Sequence, residues 1–270
     1  MKINAIFKIV KKLIYKPKSI FLILKDETEY EKYLQKKYQK TILPTIDIRD
    51  FLQENKGEIN NFTFLDGSSL VTDLLLLKSL AQSFSNCNYL EIGMWRGESV
   101  VNVAEAAQSC TTINLSPEEI KKLRLPSKYA DLHGCLIKEQ QNINIIYANS
   151  LNFDFSSLNQ KFDLIFIDGD HHYEAVKSDT KNVVKLLKDE NSVIVWHDYA
   201  YNPEKPRHSV IAAILDGMPK EFHKHLYHVS NTMCAIYTKK SFQTQFLENL
   251  VCPDKIFKLK IEVLPFEIKK

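Results

Sequence analysis

The chain has 270 residues, 44% of them hydrophobic and 26% charged, a balance that excludes wholesale disorder and collagen-like or low-complexity character. With 36 Lys plus Arg against 33 Asp plus Glu the formal net charge is +3, so composition gives no general case for a nucleic-acid partner. Only 7 Gly and 9 Pro occur, too few for the many tight turns of a sandwich or propeller.

Residues 1–20 hold Lys2, Lys8, Lys11, Lys12, Lys16 and Lys18 and no acid, while Ile3, Ile6, Phe7, Val10, Leu13 and Ile14 recur at helical steps. The pattern predicts a basic amphipathic helix, suited to peripheral contact with an anionic membrane or equally to packing on its own domain. Lysines interrupt AIFKIVKKLIY too often for a secretory core, and no run of eighteen apolar residues predicts a spanning helix. KDETEYEKYLQKKYQ predicts a helix and TILPTIDI an extended stretch, so residues 1–63 read as a helical, basic N-terminal extension. A further helix is predicted from about Ser68 through LVTDLLLLKSLAQ.

From Asn88 short apolar runs alternate with helical patterns, which predicts an α/β fold: a Rossmann-like, doubly wound sheet of parallel strands. Five runs, NYLEI, CTTINL, INIIYA, FDLIFID and SVIVWHD, give five parallel strands. Between them lie helical patterns, among them SPEEIKKL continuing towards Lys138 and YEAVKSDTKNVVKLLK. After a helix at HSVIAAILDGM, HLYHVS and TMCAIYT stand too close for a parallel crossover and predict a C-terminal antiparallel hairpin. The main domain is assigned to residues 64–240. Residues 241–270 are assigned to a tail packing on that domain, with a helix at FQTQFLENL followed by a β-rich stretch. The five cysteines, Cys87, Cys110, Cys135, Cys234 and Cys252, are odd in number and form no CxxC pair, which argues against a disulfide framework or a cysteine zinc site and for a reducing cytoplasm.

In an open α/β sheet, ligands bind beyond the carboxyl ends of the strands, so the residues ending each run carry the functional reading. The first run ends in Glu91, Ile92 and Gly93, followed by Met94, Trp95, Arg96 and Gly97, a glycine-bracketed turn opening a helix. The second ends at Asn114 and Leu115, with an amide where a ribose-binding acid is expected. Ser116, Pro117, Glu118 and Glu119 read as a capping box with Pro at the first helical position. The third run ends in Ala148, Asn149 and Ser150, the fourth in Asp168, Gly169, Asp170, His171, His172 and Tyr173, and the fifth in His197, Asp198 and Tyr199. Asp168 and Asp198 are expected to face one another with an imidazole nearby, as a divalent-cation site or as a general-base pair sharing a proton. Asp170 or His171 serves equally well as a cap of the following helix.

YLEIGMWRGESV, INLSPEE, FDLIFIDGDHHYEAVKSD and VIVWHDY, in that order and followed by a hairpin, resemble class I S-adenosylmethionine-dependent methyltransferases. The closest subgroup includes macrocin O-methyltransferase-like and cephalosporin-hydroxylase-like proteins, and the resemblance runs from about Phe64 to Tyr237. It implies cofactor contacts from Glu91, Gly93, Met94, Trp95, Gly97, Asn114, Leu115, Asn149, Ser150, Asp168 and Asp170. It implies a magnesium or manganese site at Asp168, His197 and Asp198, and proton transfer by His171 or His197 with Asp168. Trp95 in the turn, Asn114 and Asn149 in place of acids, and His197 in place of a carboxylate depart from the family pattern.

The implied activity is methyl transfer to a hydroxyl of a sugar, glycan or other small molecule, with a cytoplasmic location that extends to the inner face of the membrane through residues 1–20. A noncatalytic adenosyl- or partner-binding module and a hydroxylase-like enzyme are the alternatives, and the oligomeric state is left open. Gly93→Val is expected to abolish cofactor binding in a protein that still folds.

Overall fold

The computed structural model describes residues 27–123, 126, 128–137, 142–247 and 250–268, so the basic helix predicted at residues 1–20 lies outside the described residues. Two compact units divide the chain at Thr41/Ile42. In the first, α1 (Glu27–Tyr38) begins with Glu27 and Glu29 and ends with Lys36 and Lys37, the charge order that favours a helix dipole.

The second unit is built on an eight-stranded sheet of order β1-β9-β10-β6-β5-β2-β3-β4. Its parallel centre comprises β2 (Asn88–Ile92), β3 (Ser109–Asn114), β4 (Ile143–Tyr147), β5 (Leu164–Ile167) and β6 (Val193–Trp196). These are the five predicted parallel strands. All of β5 and β6 is buried, which is why both read as uninterrupted apolar runs. The predicted hairpin forms from β9 (Leu226–Val229) and β10 (Ala235–Tyr237), with β10 also antiparallel to β6. The helices that follow the strands are α3 (Glu98–Ala104), the short α4 (Pro117–Lys122) and α5 (Tyr129–Leu132), α6 (Tyr173–Val183) and α7 (His208–Gly217); α2 (Val71–Gln82) precedes β2. A small separate ribbon pairs β7 (Ala200–Asn202) with β8 (Lys205–Pro206).

Three expectations are corrected. Within TILPTIDI, β1 (Thr45–Ile46) pairs in parallel with β9, and Leu43, Ile46 and Ile48 are core residues, so the globular unit starts at Ile42 rather than at Phe64. Burial of Leu43, Thr45, Ile46 and Ile48 at the sheet edge makes this stretch part of the fold. The pattern from Ser116 towards Lys138 gives two short helices, α4 and α5, interrupted around Pro126, which has no backbone N–H to continue a helix. At FQTQFLENL no helix forms over residues 242–247. Gln245 instead exchanges both backbone hydrogen bonds with Thr45, at 2.7 and 3.0 Å, and Phe242 packs on Phe51 with ring centroids 5.4 Å apart. The open edge of β1 offers these backbone groups partners that outweigh a helical propensity. Residues 251–268 form neither helix nor strand, and Lys255 meets Asp47 at 3.3 Å.

Candidate active site at the sheet switch point

After β2, β3 and β4 fill one side of the sheet, the chain returns to place β5 and β6 on the other, which makes the gap between β2 and β5 the switch point. Gly93 sits there at φ +84°, and a Cβ on it would run into the Asp168 carbonyl oxygen and lie 2.6 Å from Gly169 Cα. Glycine is therefore required by the backbone crossing itself. Gly97, at φ +92°, opens α3, and a Cβ there would lie 2.9 Å from Ile137 Cγ1. Glu91 is fully buried, with the Tyr89 and Ser99 hydroxyls each 2.6 Å from one of its oxygens. Burial lifts its carboxyl to about 8, against the pull of the Ser99 and Tyr89 hydroxyls. Both of its oxygens are occupied within the protein.

Next to the turn, the ends of β3 and β4 gather aromatic and amide groups. Trp95 adopts φ +38° and packs between Tyr129 and His133, with ring centroids at 4.7 and 4.9 Å, and the Arg96 guanidinium stands 4.8 Å from its ring. Asn114 Oδ1 lies 3.4 Å from the Met94 N–H, and its Nδ2 donates to the Leu115 carbonyl at 2.9 Å and stands 3.3 Å from His133 Nδ1. Trp95 Nε1 and His133 Nε2 are buried without a hydrogen-bond partner among the described residues. Asn149 uses Oδ1 to accept from the Leu151 N–H at 3.0 Å, and Ser150 follows it, half-buried. Of the residues expected to meet a cofactor, Met94, Trp95, Gly97, Asn114 and Leu115 are gathered here; Asn149 and Ser150 begin the loop after β4.

The ends of β5 and β6 are ionic. Ile167 pairs with Trp196, so the register sets Asp168 beside His197 rather than opposite Asp198. His197 Nδ1 lies 3.1 Å from Asp168 Oδ1 as an ion-pair contact, away from hydrogen-bonding alignment. Asp198 takes φ +55°, strained for a non-glycine residue, and this brings Oδ2 to 3.7 Å from the same Nδ1. Two cations reach Asp198: the His171 ring at 3.5 Å from Oδ2, when protonated, and Arg207 at 3.5 Å from Oδ1. On its other side, His197 Nε2 meets Asp73 of α2 at 3.2 Å.

Burial works against a charged His197 ring, but Asp168, Asp198 and Asp73 outweigh it and hold the ring well above the ordinary histidine range. Burial raises Asp168, opposed by His197. The same burial would raise Asp198, but His197, His171 and Arg207 bring it below the usual carboxylate range. His171 is lowered by burial and by Arg207. Asp170 is exposed and accepts from the His172 backbone N–H at 2.9 Å and from the His172 ring, a local turn before α6 rather than the expected cap, since the helix N-cap is His172 and has no side-chain cap bond.

Asp168, His197 and Asp198 each offer one ligand atom, all within 4.8 Å of one another, and they line a cavity of about 10 Å³, room for about one water-sized occupant. Residues 90–199, from within β2 to just past β6, match the family model of a methyltransferase domain. These residues are a methyltransferase domain. The strand order around it, ending in the antiparallel β9–β10 pair, is that of the class I, S-adenosylmethionine-dependent type implied by the sequence.

Solved structures similar to the chain include TomG, an O-methyltransferase of tomaymycin synthesis from Streptomyces achromogenes in complex with SAM, at 16% identity over 64% of this chain and 82% of that one, TM-score 0.46. An O-methyltransferase from Bacillus cereus in complex with SAH is 16% identical over 77% of this chain and 96% of that one, TM-score 0.43. CalS11, a TDP-rhamnose 3'-O-methyltransferase of calicheamicin biosynthesis, is 15% identical over 63% and 80%, TM-score 0.42. Likeness at this level assigns no substrate. Comparison with curated protein sequences finds no match.

Sequence reasoning missed Asp73, Arg207, Tyr129 and His133 around the methyltransferase domain. The signal for Asp73 was present: a single acid in the otherwise apolar first turns of VTDLLLLKSLA. No helix among the described residues is long and apolar enough to cross a membrane.

Proposed function

We propose that the chain transfers the methyl group of S-adenosylmethionine to a hydroxyl oxygen of a sugar, glycan or other small molecule, with Mg2+ or Mn2+ held by Asp168, His197 and Asp198. The observation that carries this reading is the cluster of two carboxylates and one imidazole around a water-sized cavity at the ends of β5 and β6, one strand from the switch point of a methyltransferase domain. Two oxygen donors and one nitrogen suit these cations, and three carboxylates converging on one imidazole leave negative charge for a cation to neutralise. Trp95 Nε1 and His133 Nε2, buried without partners beside Asn114, suit the polar groups of a bound nucleoside.

Bound S-adenosylmethionine supplies an electrophilic sulfonium methyl group. In this reading the turn from Gly93 to Gly97, with Met94 and Trp95, holds the cofactor, Asn114 and Leu115 hold its ribose side, and Asn149 and Ser150 hold its adenine side. Asp168 lies beside the sulfonium. His171 accepts the acceptor's proton, because a ring held below the ordinary histidine range is neutral near pH 7. His197 keeps the metal-ligand role. The acceptor class rests on the resemblance of IDGDHHY to sugar-modifying relatives. Peripheral contact of residues 1–20 with an anionic membrane belongs to the same proposal, and vesicle sedimentation of the full chain against one starting at Ser19 tests it.

The deciding experiment supplies deuteromethyl-labelled S-adenosylmethionine with sugar nucleotides and glycosides, and follows S-adenosylhomocysteine formation by mass spectrometry. Turnover abolished by chelator and restored by Mg2+ is expected. Turnover indifferent to chelator and to Asp198→Asn removes the metal. The packing of Trp95 within the turn favours a second reading, a noncatalytic adenosyl-binding module; calorimetric binding of the cofactor without turnover on any acceptor points to it.

A further inference from the structure

Asp73 belongs to α2, outside the stretch matched as a methyltransferase domain, and it is fully buried. Its oxygens are directed by the fold. Oδ2 accepts the Leu70 N–H at 2.7 Å and faces His197 Nε2 at 3.2 Å, and Oδ1 accepts the Met233 N–H at 2.8 Å. Met233 immediately precedes Cys234, whose thiol also faces Oδ1 at 3.6 Å. One carboxylate thus ties the start of α2, the hairpin before β10 and the imidazole at the end of β6. With Oδ2 held by a backbone N–H, the group facing His197 is an acceptor, and the ring must present Nε2–H to it. Nδ1, the other ring nitrogen, is then the one that points at Asp168 and Asp198.

We infer that Asp73 is a positioning residue: it keeps the proton on His197 Nε2, so that a cation shared with Asp168 and Asp198 displaces the Nδ1 proton to solvent and meets the lone pair there. This rests on the metal reading proposed above. A carboxylate behind a ligating histidine fixes both ring orientation and tautomer, and its loss weakens metal binding without touching the metal. Asp73→Asn replaces one acceptor oxygen with an amide donor among three N–H partners. Where that donor faces Nε2, the ring proton moves to Nδ1 and the lone pair is lost to the cation.

Mn2+ binding is measured by calorimetry on the full, cofactor-free chain, for wild type and Asp73→Asn, with circular dichroism as the check of folding. The expected result is Mn2+ affinity lowered roughly 10- to 100-fold in a folded Asp73→Asn protein. A purely structural role would lower the melting temperature and leave the affinity of the folded variant unchanged, and that result overturns the inference. Wild type that binds no Mn2+ overturns the metal reading itself, and the inference with it. If Asp73→Asn does not fold, histidine 15N NMR of the Mg2+-loaded wild type decides: a proton on Nε2 supports the inference, and a proton on Nδ1 overturns it.

Discussion

Glu91 and Asp168 stand at the carboxyl ends of neighbouring parallel strands, yet their surroundings give them opposite characters. Glu91 faces two hydroxyls and no cation, is fully buried, and is raised to about 8, so it is neutral at pH 7. Asp168 keeps 24% of its side-chain surface exposed and faces the His197 ring at 3.1 Å. Burial raises both. What separates them is the partner: Glu91 has only two hydroxyls, whose pull on its pKa is too weak to offset burial, whereas Asp168 faces an imidazole, itself held by a further carboxylate, whose charge opposes burial. The first arrangement builds the strand end and the second equips it.

The largest expected effect sharpens that contrast at the ionic end. If the proposed metal site is right, Asp168→Asn and Asp198→Asn are each expected to lower metal-dependent turnover by about 100-fold or more while the far-ultraviolet spectrum is kept, because each removes one of the three proposed ligands from a preformed cleft. Asp198→Gly is the informative companion. It relieves the φ +55° strain, so its unfolding free energy from denaturant titration is expected to rise by about 1 kcal/mol while Mn2+ binding disappears.

Gly93 tests the shared backbone between the two acids. Any side chain there runs into the Asp168 carbonyl and Gly169 Cα, so Gly93→Val is expected to cost about 3 kcal/mol or more in urea unfolding. The loss of cofactor binding expected from the sequence would then come with loss of the fold, which corrects the earlier expectation of an intact protein.

A third test addresses Glu91 through pH. Its folded pKa of about 8 lies above the ordinary value of 4.5, so its protonated form favours folding: that contribution is complete below about pH 4.5 and is lost as pH rises through 8. Glu91→Gln does not titrate. Its stability relative to wild type is expected to climb by about 4 kcal/mol between pH 4.5 and 8, as read from thermal unfolding at the two pH values. A constant difference would mean that Glu91 is ionised in the fold. The smallest effect is expected at Asp170, whose exposed side chain only braces the start of α6: Asp170→Ala should cost about 1 kcal/mol or less and leave Mn2+ affinity unchanged.

Much of this was legible along the chain because it is local. Apolar runs of four to six residues marked β2 to β6, the short spacing between HLYHVS and TMCAIYT required an antiparallel pair, and Ser116 forms the capping box read from SPEE, its hydroxyl accepting the Glu119 N–H at 3.2 Å. That Asp168, His197 and Asp198 end adjacent strands followed from the same reading. The helix at FQTQFLENL failed because its competitor was an open strand edge two hundred residues away, which no local propensity records.

The sequence by itself determined which residues end the parallel strands, since strand ends follow from runs of apolar side chains and the polar residues that stop them. Only the tertiary structure decided what those ends face. Asp73 reaches His197 across 124 residues of chain, the β5–β6 register puts Asp168 against the imidazole, and φ +55° at Asp198 swings its carboxylate back to the same ring. Each depends on how separate elements pack and pair, and therefore on distances that exist only once the sheet has closed its register.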